Sequence, residues 1–195
     1  MSTNSTINIK HKDGSYEGIY CHWDGYPTWN GQLLYTFYNT PEKVNELISM
    51  GSLSSLGMNI GEKLPEGYSE ANKFRTDHFQ CRFYARDNGE DLQIYKDENG
   101  HYEVDTEEFN YLFDENDNEW YLVKDGTKTL LIDALRLDWQ ENGQYFEAID
   151  KLDRDGDKTI GEICTPEQLE RLAVLETEIQ KPVTRQKAKD AVERD

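Results

Sequence analysis

One stretch near the N-terminus, residues 19–27, places a cysteine, a histidine, a tryptophan, two tyrosines and a carboxylate within nine residues. The candidate ligand- or partner-binding residues in it are Tyr20, His22, Trp23, Asp24 and Tyr26. Side chains two residues apart in a strand share a face, so Asp24 could orient the His22 imidazole as a general base requires. Cys21 faces the other way and is a poor nucleophilic partner for that histidine. The alternative interpretation is a strand end where aromatic rings pack and Asp24-Gly25 forms a turn.

A second polar group, Arg86, Asp87 and Glu90, lies at the tip of a predicted hairpin. In one interpretation these charges serve the turn itself, because opposite charges stabilise paired strands. In the other interpretation they join His22 and Asp24 around one pocket of a small enzyme or ligand-binding protein. No phosphate-binding glycine loop, nucleophile elbow or zinc-finger spacing points to a particular reaction.

A third candidate is the acidic loop of residues 153–164, which lies between two predicted helices as in an EF-hand. Its candidate calcium ligands are Asp153, Asp155, Asp157, Thr159 and Glu162. Lys158 replaces the usual glycine and Cys164 replaces the usual bidentate glutamate, which argues against the motif. The loop is therefore either a weak calcium site or an acidic connection, and no other cofactor is expected.

Turn-forming dipeptides predict that antiparallel strands carry these sites. Asp13-Gly14 predicts a two-residue turn joining residues 6–12 to 15–23, with Ile7 opposite Tyr20. Alternating apolar residues predict a strand at 79–86, and Asn88-Gly89 turns it back onto 91–96.

The remaining turn and capping signals predict further strands and the helices. Asn99-Gly100 adds a strand at 101–104, and Asp125-Gly126 joins strands 120–124 and 127–132. Helices are predicted at 29–38, from Thr40 to Gly51, from Asp105 through 113, at 144–152 and from the capping box at Thr165.

These elements predict an α+β fold: an antiparallel meander sheet of about five to seven strands with helices on one side, plus a helical C-terminal extension. The predicted units are a core domain at 1–140, a helix–acidic loop–helix extension at 141–182 and a charged tail at 183–195.

The composition limits the function classes. Acidic residues number 39 against 21 basic ones, a net charge of −18, which disfavours direct binding to nucleic acid or to an anionic membrane. The three widely spaced cysteines do not describe a disulfide framework, and neither a leader peptide nor a membrane span is recognisable. A cytoplasmic location is expected.

Two motifs resemble a family of uncharacterised proteins encoded by bacteriophages and prophages. The motifs are YCHWDGYP, residues 20–27, followed by KVNELISMGSLSSLG, and Phe83–Glu90 of sequence FYARDNGE. The resemblance covers about residues 15–91 and implies a phage accessory protein, which would place it in the host cytoplasm. With the acidic charge, it predicts binding to a host protein, for example counter-defence inhibition of a nucleic-acid-binding protein by an acidic mimic. A small enzyme and a calcium-stabilised module are the alternatives.

Overall fold

The computed structural model describes residues 3–63, 80–98, 106–142, 162 and 164–183. Strands β1 to β8 are, in order, Ser5–Lys10, Tyr16–Cys21, Leu53–Ser55, Arg82–Phe83, Tyr95–Asp97, Phe109–Asp114, Glu119–Lys124 and Thr127–Leu130. Helices α1 to α5 are Gln32–Phe37, Pro41–Ser49, Tyr84–Asn88, Leu131–Asn142 and Pro166–Ile179, and a π-helical turn, Pro27–Gly31, leads into α1.

All eight strands form one mixed sheet, in the order β4-β3-β2-β1-β6-β7-β8, with β5 pairing with the part of β2 that β3 leaves open. The prediction of an α+β fold is confirmed, but the prediction of an antiparallel meander is only partly matched. Two pairs, β1–β6 and β2–β3, are parallel. The β1–β6 pair sets Ile7 opposite Tyr111 and Ile9 opposite Phe113, all four fully buried. Local turn signals cannot predict such a long-range pairing.

The register of the first hairpin differs by one residue from the predicted one. Ile7 faces Ile19 rather than Tyr20, and Lys10 faces Tyr16. The His11 amide bonds the Ser15 carbonyl at 2.9 Å, so pairing continues past the strand ends and the loop holds three residues rather than two. Gly14 takes the left-handed conformation (φ +90°) that suits the last residue of such a loop. The shift brings two isoleucines together on the core side, since one residue of slip exchanges the faces of a strand.

The predicted strand at 79–86 is wrong for most of its length. Within the described part of that range, residues 80–86, only Arg82–Phe83 is a strand, and the chain then turns into α3. The Asp87 carboxylate accepts a hydrogen bond from the Phe83 amide at 2.9 Å, and Gly89 ends α3 in a left-handed conformation (φ +74°). Local side-chain–backbone bonds of this kind compete with a strand ladder. As a result, β5 pairs with β2 instead of folding back onto β4.

The helix predicted from Asp105 through 113 is also wrong, because residues 109–114 form β6. Asp105 itself lies outside the described residues. Tyr111 and Phe113 are fully buried on the core face, while Asn110 and Leu112 belong to the other face. The sequence therefore contains a period-two pattern that the capping signal concealed.

Three local predictions are confirmed. Thr40 caps α2 by accepting a hydrogen bond from the Lys43 amide, and α5 begins with a full capping box between Thr165 and Gln168. Asp125 and Gly126 both have positive φ (50° and 71°), and they join β7 to β8 through the predicted two-residue turn.

Helices α1, α2, α4 and α5 share one hydrophobic cluster with the core face of the sheet. Helix α4 was not predicted from the sequence, and the helix predicted at 144–152 lies outside the described residues. Leu172, Leu175 and Ile179 are the buried side chains of α5, whereas Leu169 is exposed.

Candidate functional site

Tyr20, His22 and Trp23 form a contiguous group at the end of β2. The Tyr20 hydroxyl and His22 Nδ1 share a hydrogen bond at 2.8 Å. The Trp23 ring meets the imidazole edge-on, with 4.7 Å between ring centroids, and 45% of Trp23 is exposed. The imidazole thus links a half-buried phenol to an exposed indole.

The backbone around this group is fixed by neighbouring segments. The amides of His22 and Trp23 bond the carbonyls of Leu53 and Ser54, at 3.1 and 3.0 Å, which extends the β2–β3 pairing past the end of β2. A Cβ at Gly25 would lie 2.6 Å from the Asn4 carbonyl oxygen, so only glycine fits where the chain turns away. The loop that carries Trp23 is therefore held at both ends.

The predicted pairing of Asp24 with His22 is not formed. β2 ends at Cys21, and Asp24 has a positive φ of 56°, so the strand alternation that the prediction assumed does not reach it. Instead, the Tyr26 hydroxyl donates a hydrogen bond to Asp24 Oδ1 at 3.2 Å. Among the described residues, His22 Nδ1 meets the Tyr20 phenol and not a carboxylate, so the arrangement predicted for a carboxylate-oriented general base is not formed there.

Two further tyrosines and a carboxylate extend the surface around Tyr20. Tyr95 of β5 faces Gly18, two residues before Tyr20 on the same face, and is 51% exposed. Partial burial, the negative charge of Glu107 and the nearby Tyr84 and Tyr95 together raise the pKa of Tyr20 to about 12. We call Tyr95, Tyr20, His22, Trp23 and Tyr84 the aromatic strip.

Asn30 supports the aromatic strip from inside, and nothing in the sequence pattern singled it out. Its fully buried amide nitrogen donates to Ser5 Oγ at 3.0 Å, to Cys21 Sγ at 3.3 Å and to the Trp23 carbonyl at 3.3 Å. The side chain thus ties the π-helical turn to β1 and to the end of β2. Its position within the predicted helix 29–38 does not distinguish it from other polar residues, because its burial and its partners depend on the tertiary fold.

Arg86, Asp87 and Glu90 form a separate group. The Arg86 guanidinium donates to both Asp87 carboxylate oxygens and to the carbonyls of Ile60, Gly61 and Cys81. Glu90 is exposed and accepts a hydrogen bond from Asn88 at 3.2 Å. Within the described residues, neither His22 nor Asp24 bonds Arg86 or Glu90, so the structure does not bring the two groups into one hydrogen-bonded site.

The cysteines are buried thiols. Burial raises the pKa of Cys21 to about 12 and that of Cys81 to about 11, and it also raises the pKa of Cys164. Since the thiolate is the nucleophile, the raised pKa values disfavour nucleophilic attack by these cysteines at neutral pH.

Of the five candidate calcium ligands, Asp153, Asp155, Asp157 and Thr159 lie outside the described residues, and Glu162 is an exposed helical residue. Among the residues that are described, no group of three or more histidine, cysteine or acidic side chains is placed to hold a metal ion.

None of the helices in the described ranges is both long and apolar enough to cross a membrane.

Comparisons with protein-family models, with curated proteins and with solved structures find no match to this chain. The resemblance of residues 15–91 to phage-encoded proteins therefore stays a prediction.

Proposed function

We propose that this chain is a non-catalytic interaction protein that binds a basic segment of another protein through the aromatic strip. The observation that carries the proposal is the exposure of Trp23 and Tyr95, at 45% and 51%, in a molecule with a net charge of −18. Exposed tryptophan and tyrosine anchors are typical of the few residues that dominate binding energy at protein interfaces.

The charges around the aromatic strip favour a cationic partner. Glu107 acts electrostatically on Tyr20, and Glu90 acts on Tyr84, so carboxylates lie close to the rings. Lysine and arginine side chains bind over the faces of tryptophan and tyrosine, and nearby carboxylates add ion pairs. An acidic field also speeds the encounter with a basic partner.

The biological setting that fits these properties is a phage-encoded accessory protein that acts on a host protein in the host cytoplasm. A nucleic-acid-binding host protein presents a basic groove, which an acidic surface can occupy as a mimic of nucleic acid. The motivation is the resemblance of residues 15–91 to phage proteins together with the acidic charge.

Affinity capture from host lysate at low salt, followed by measurement of the purified pair, tests the proposal. We expect a basic protein whose binding weakens as salt is raised, and a Trp23→Ala, Tyr95→Ala double variant that binds at least about 30-fold more weakly, as loss of a hot spot of about 2 kcal/mol implies. Leu137→Ala is the matched control, since it removes an exposed apolar side chain from α4. Equal binding by the double variant would refute the assignment of the aromatic strip.

The calcium-stabilised module remains the second candidate, motivated by the spacing of Asp153, Asp155 and Asp157. A ligand that binds only the folded state raises the Tm. Thermal melts with calcium and with a chelator should therefore differ by several degrees if these residues hold an ion, and identical melts would remove this candidate.

A further inference from the structure

A cleft of about 410 Å³ lies between α1, α2, residues 58–61 and the start of α5. Its apolar lining comes from Phe37, Met58 and Ile60. The volume falls in the range of small-molecule sites and equals that of about 14 water molecules in the liquid. This cleft takes no part in the function proposed above.

The walls of the cleft are held by hydrogen bonds between elements. Arg171 of α5 donates from Nε to the Thr36 carbonyl at 3.2 Å and from a terminal nitrogen to the Tyr35 carbonyl at 3.4 Å. Gln168 donates to Asn59 Oδ1 at 2.7 Å. Because these bonds tie α5 to the end of α1 and to the loop, the cleft is formed before any ligand enters.

Two cations and two carboxylates line the cleft in a strongly acidic protein. They are Lys43, Arg171, Glu46 and Glu167, so the lining carries no net charge. Lys43 bonds Glu167 at 3.2 Å, but both side chains are exposed, and an ion pair of this kind is easily exchanged for another partner. The Glu46 carboxylate accepts no hydrogen bond from the described part of the chain.

Thr36 of α1 is 2% exposed and also lines the cleft. Its Oγ1 has no hydrogen-bond partner among the described residues, but this oxygen is itself buried and offers no exposed group to a ligand.

We infer that this cleft binds a small zwitterion that carries one ammonium and one carboxylate group, such as an amino acid or a dipeptide. Lys43 receives the carboxylate and Glu46 the ammonium group, since these two side chains lie one turn apart on α2 and both face the cleft. Phe37, Met58 and Ile60 contact the apolar part of the ligand. A dianion is disfavoured by Glu46 and Glu167, and a dication by Lys43 and Arg171.

The test is a thermal-shift screen of the full-length protein against the twenty amino acids and a set of dipeptides at 10 mM. Binding to the folded state alone should raise the Tm by at least about 2 °C for one or more compounds. For each such compound, the N-acetylated and the C-amidated forms remove one charge apiece, and each should bind at least tenfold more weakly. The proposal is overturned if no compound shifts the Tm, or if both single-charge forms bind as well as the parent.

Variants locate the site independently of the ligand screen. Lys43→Gln and Glu46→Gln should each weaken binding at least tenfold while the Tm of the free protein stays within about 2 °C, because both changes are on the surface of α2. Lys96→Gln is the control, since it removes a surface cation that pairs with Glu17 on β2. Binding that is lost equally in the control, or kept in both α2 variants, would place the ligand elsewhere and refute the proposal.

Discussion

Replacing Arg86 by alanine should destabilise the protein, although the sequence marks this residue as a candidate for binding. The guanidinium makes five hydrogen bonds, two to Asp87 and three to backbone carbonyls of residues 60, 61 and 81. The side chains of Arg86 and Asp87 are 12% and 1% exposed. Loss of the guanidinium therefore leaves a carboxylate in the interior without this cation.

The size of the effect follows from these contacts. Removing one member of a buried ion pair typically costs about 3–5 kcal/mol. Asp87 keeps the Phe83 amide as a donor, and the bond to the Gly61 carbonyl lies at the surface, where water can replace the lost nitrogen. We therefore expect the free energy of unfolding to fall by about 3 kcal/mol, the lower end of this range. For a chain of 195 residues, this loss lowers the Tm by about 6–12 °C.

Urea denaturation followed by tryptophan fluorescence measures this change directly. Arg86→Lys keeps the positive charge but not the planar fork of donors, so its loss should fall between zero and that of the alanine variant. Glu90→Gln is the matched control just beyond the same helix, where an exposed change should stay within about 0.5 kcal/mol.

The reasoning fails if Arg86→Ala unfolds with less than about 1 kcal/mol of loss, because the ion pair would then contribute little to the fold. The structural role of Arg86 is also refuted if the variant is as stable as the wild type but no longer binds a partner. Arg86 would then be a binding residue, as the sequence suggested.

Two further predictions concern titration. Cys21 and Cys81 should resist iodoacetamide at pH 8 in the folded protein, because burial raises the pKa of both thiols, and they should react once urea unfolds the chain. Mass spectrometry of the labelled protein measures both outcomes. Burial opposes ionisation of Asp114, but hydrogen bonds from Lys128 and Asn116 outweigh the effect of burial and lower the pKa of this carboxyl below 3.8. The ionised carboxylate therefore stabilises the fold above about pH 4, and this stabilisation is lost as the pH falls through the pKa of the folded state. Asp114→Asn should thus cost about 1 kcal/mol at pH 6 and less at pH 2, as urea melts at the two pH values would show.

The parts of the fold that the sequence predicts are those determined by short-range chemistry. Thr40 and Thr165 cap helices because their hydroxyls reach backbone amides three residues on. Asp125-Gly126 forms the β7–β8 turn because these two residues tolerate positive φ. Each of these contacts joins residues that are neighbours in the chain, so composition and spacing are sufficient.

The parts that it could not predict depend on distant partners. Whether Phe109–Asp114 becomes a helix or a strand is decided by β1, which lies about a hundred residues earlier and pairs with it in parallel. Similarly, helix α3 is held in place because Arg86 donates hydrogen bonds to the carbonyls of Ile60 and Gly61. Over such short segments the apolar residues fit both a helical and a strand periodicity, so the local pattern does not decide between helix and strand.

The candidate residues therefore fall into two groups: those whose side chains form hydrogen bonds within the fold, and those whose side chains stay partly exposed. Arg86 and Asp87 bond each other and the backbone around them, which favours a structural role for both. Trp23 contributes its carbonyl to the fold, by accepting from Asn30 and Cys21, while nearly half of the residue stays exposed. Trp23→Ala keeps these backbone hydrogen bonds and removes a partly exposed ring that meets the His22 imidazole edge-on. A variant that loses binding but keeps the Tm of the wild type would therefore report on recognition rather than on folding.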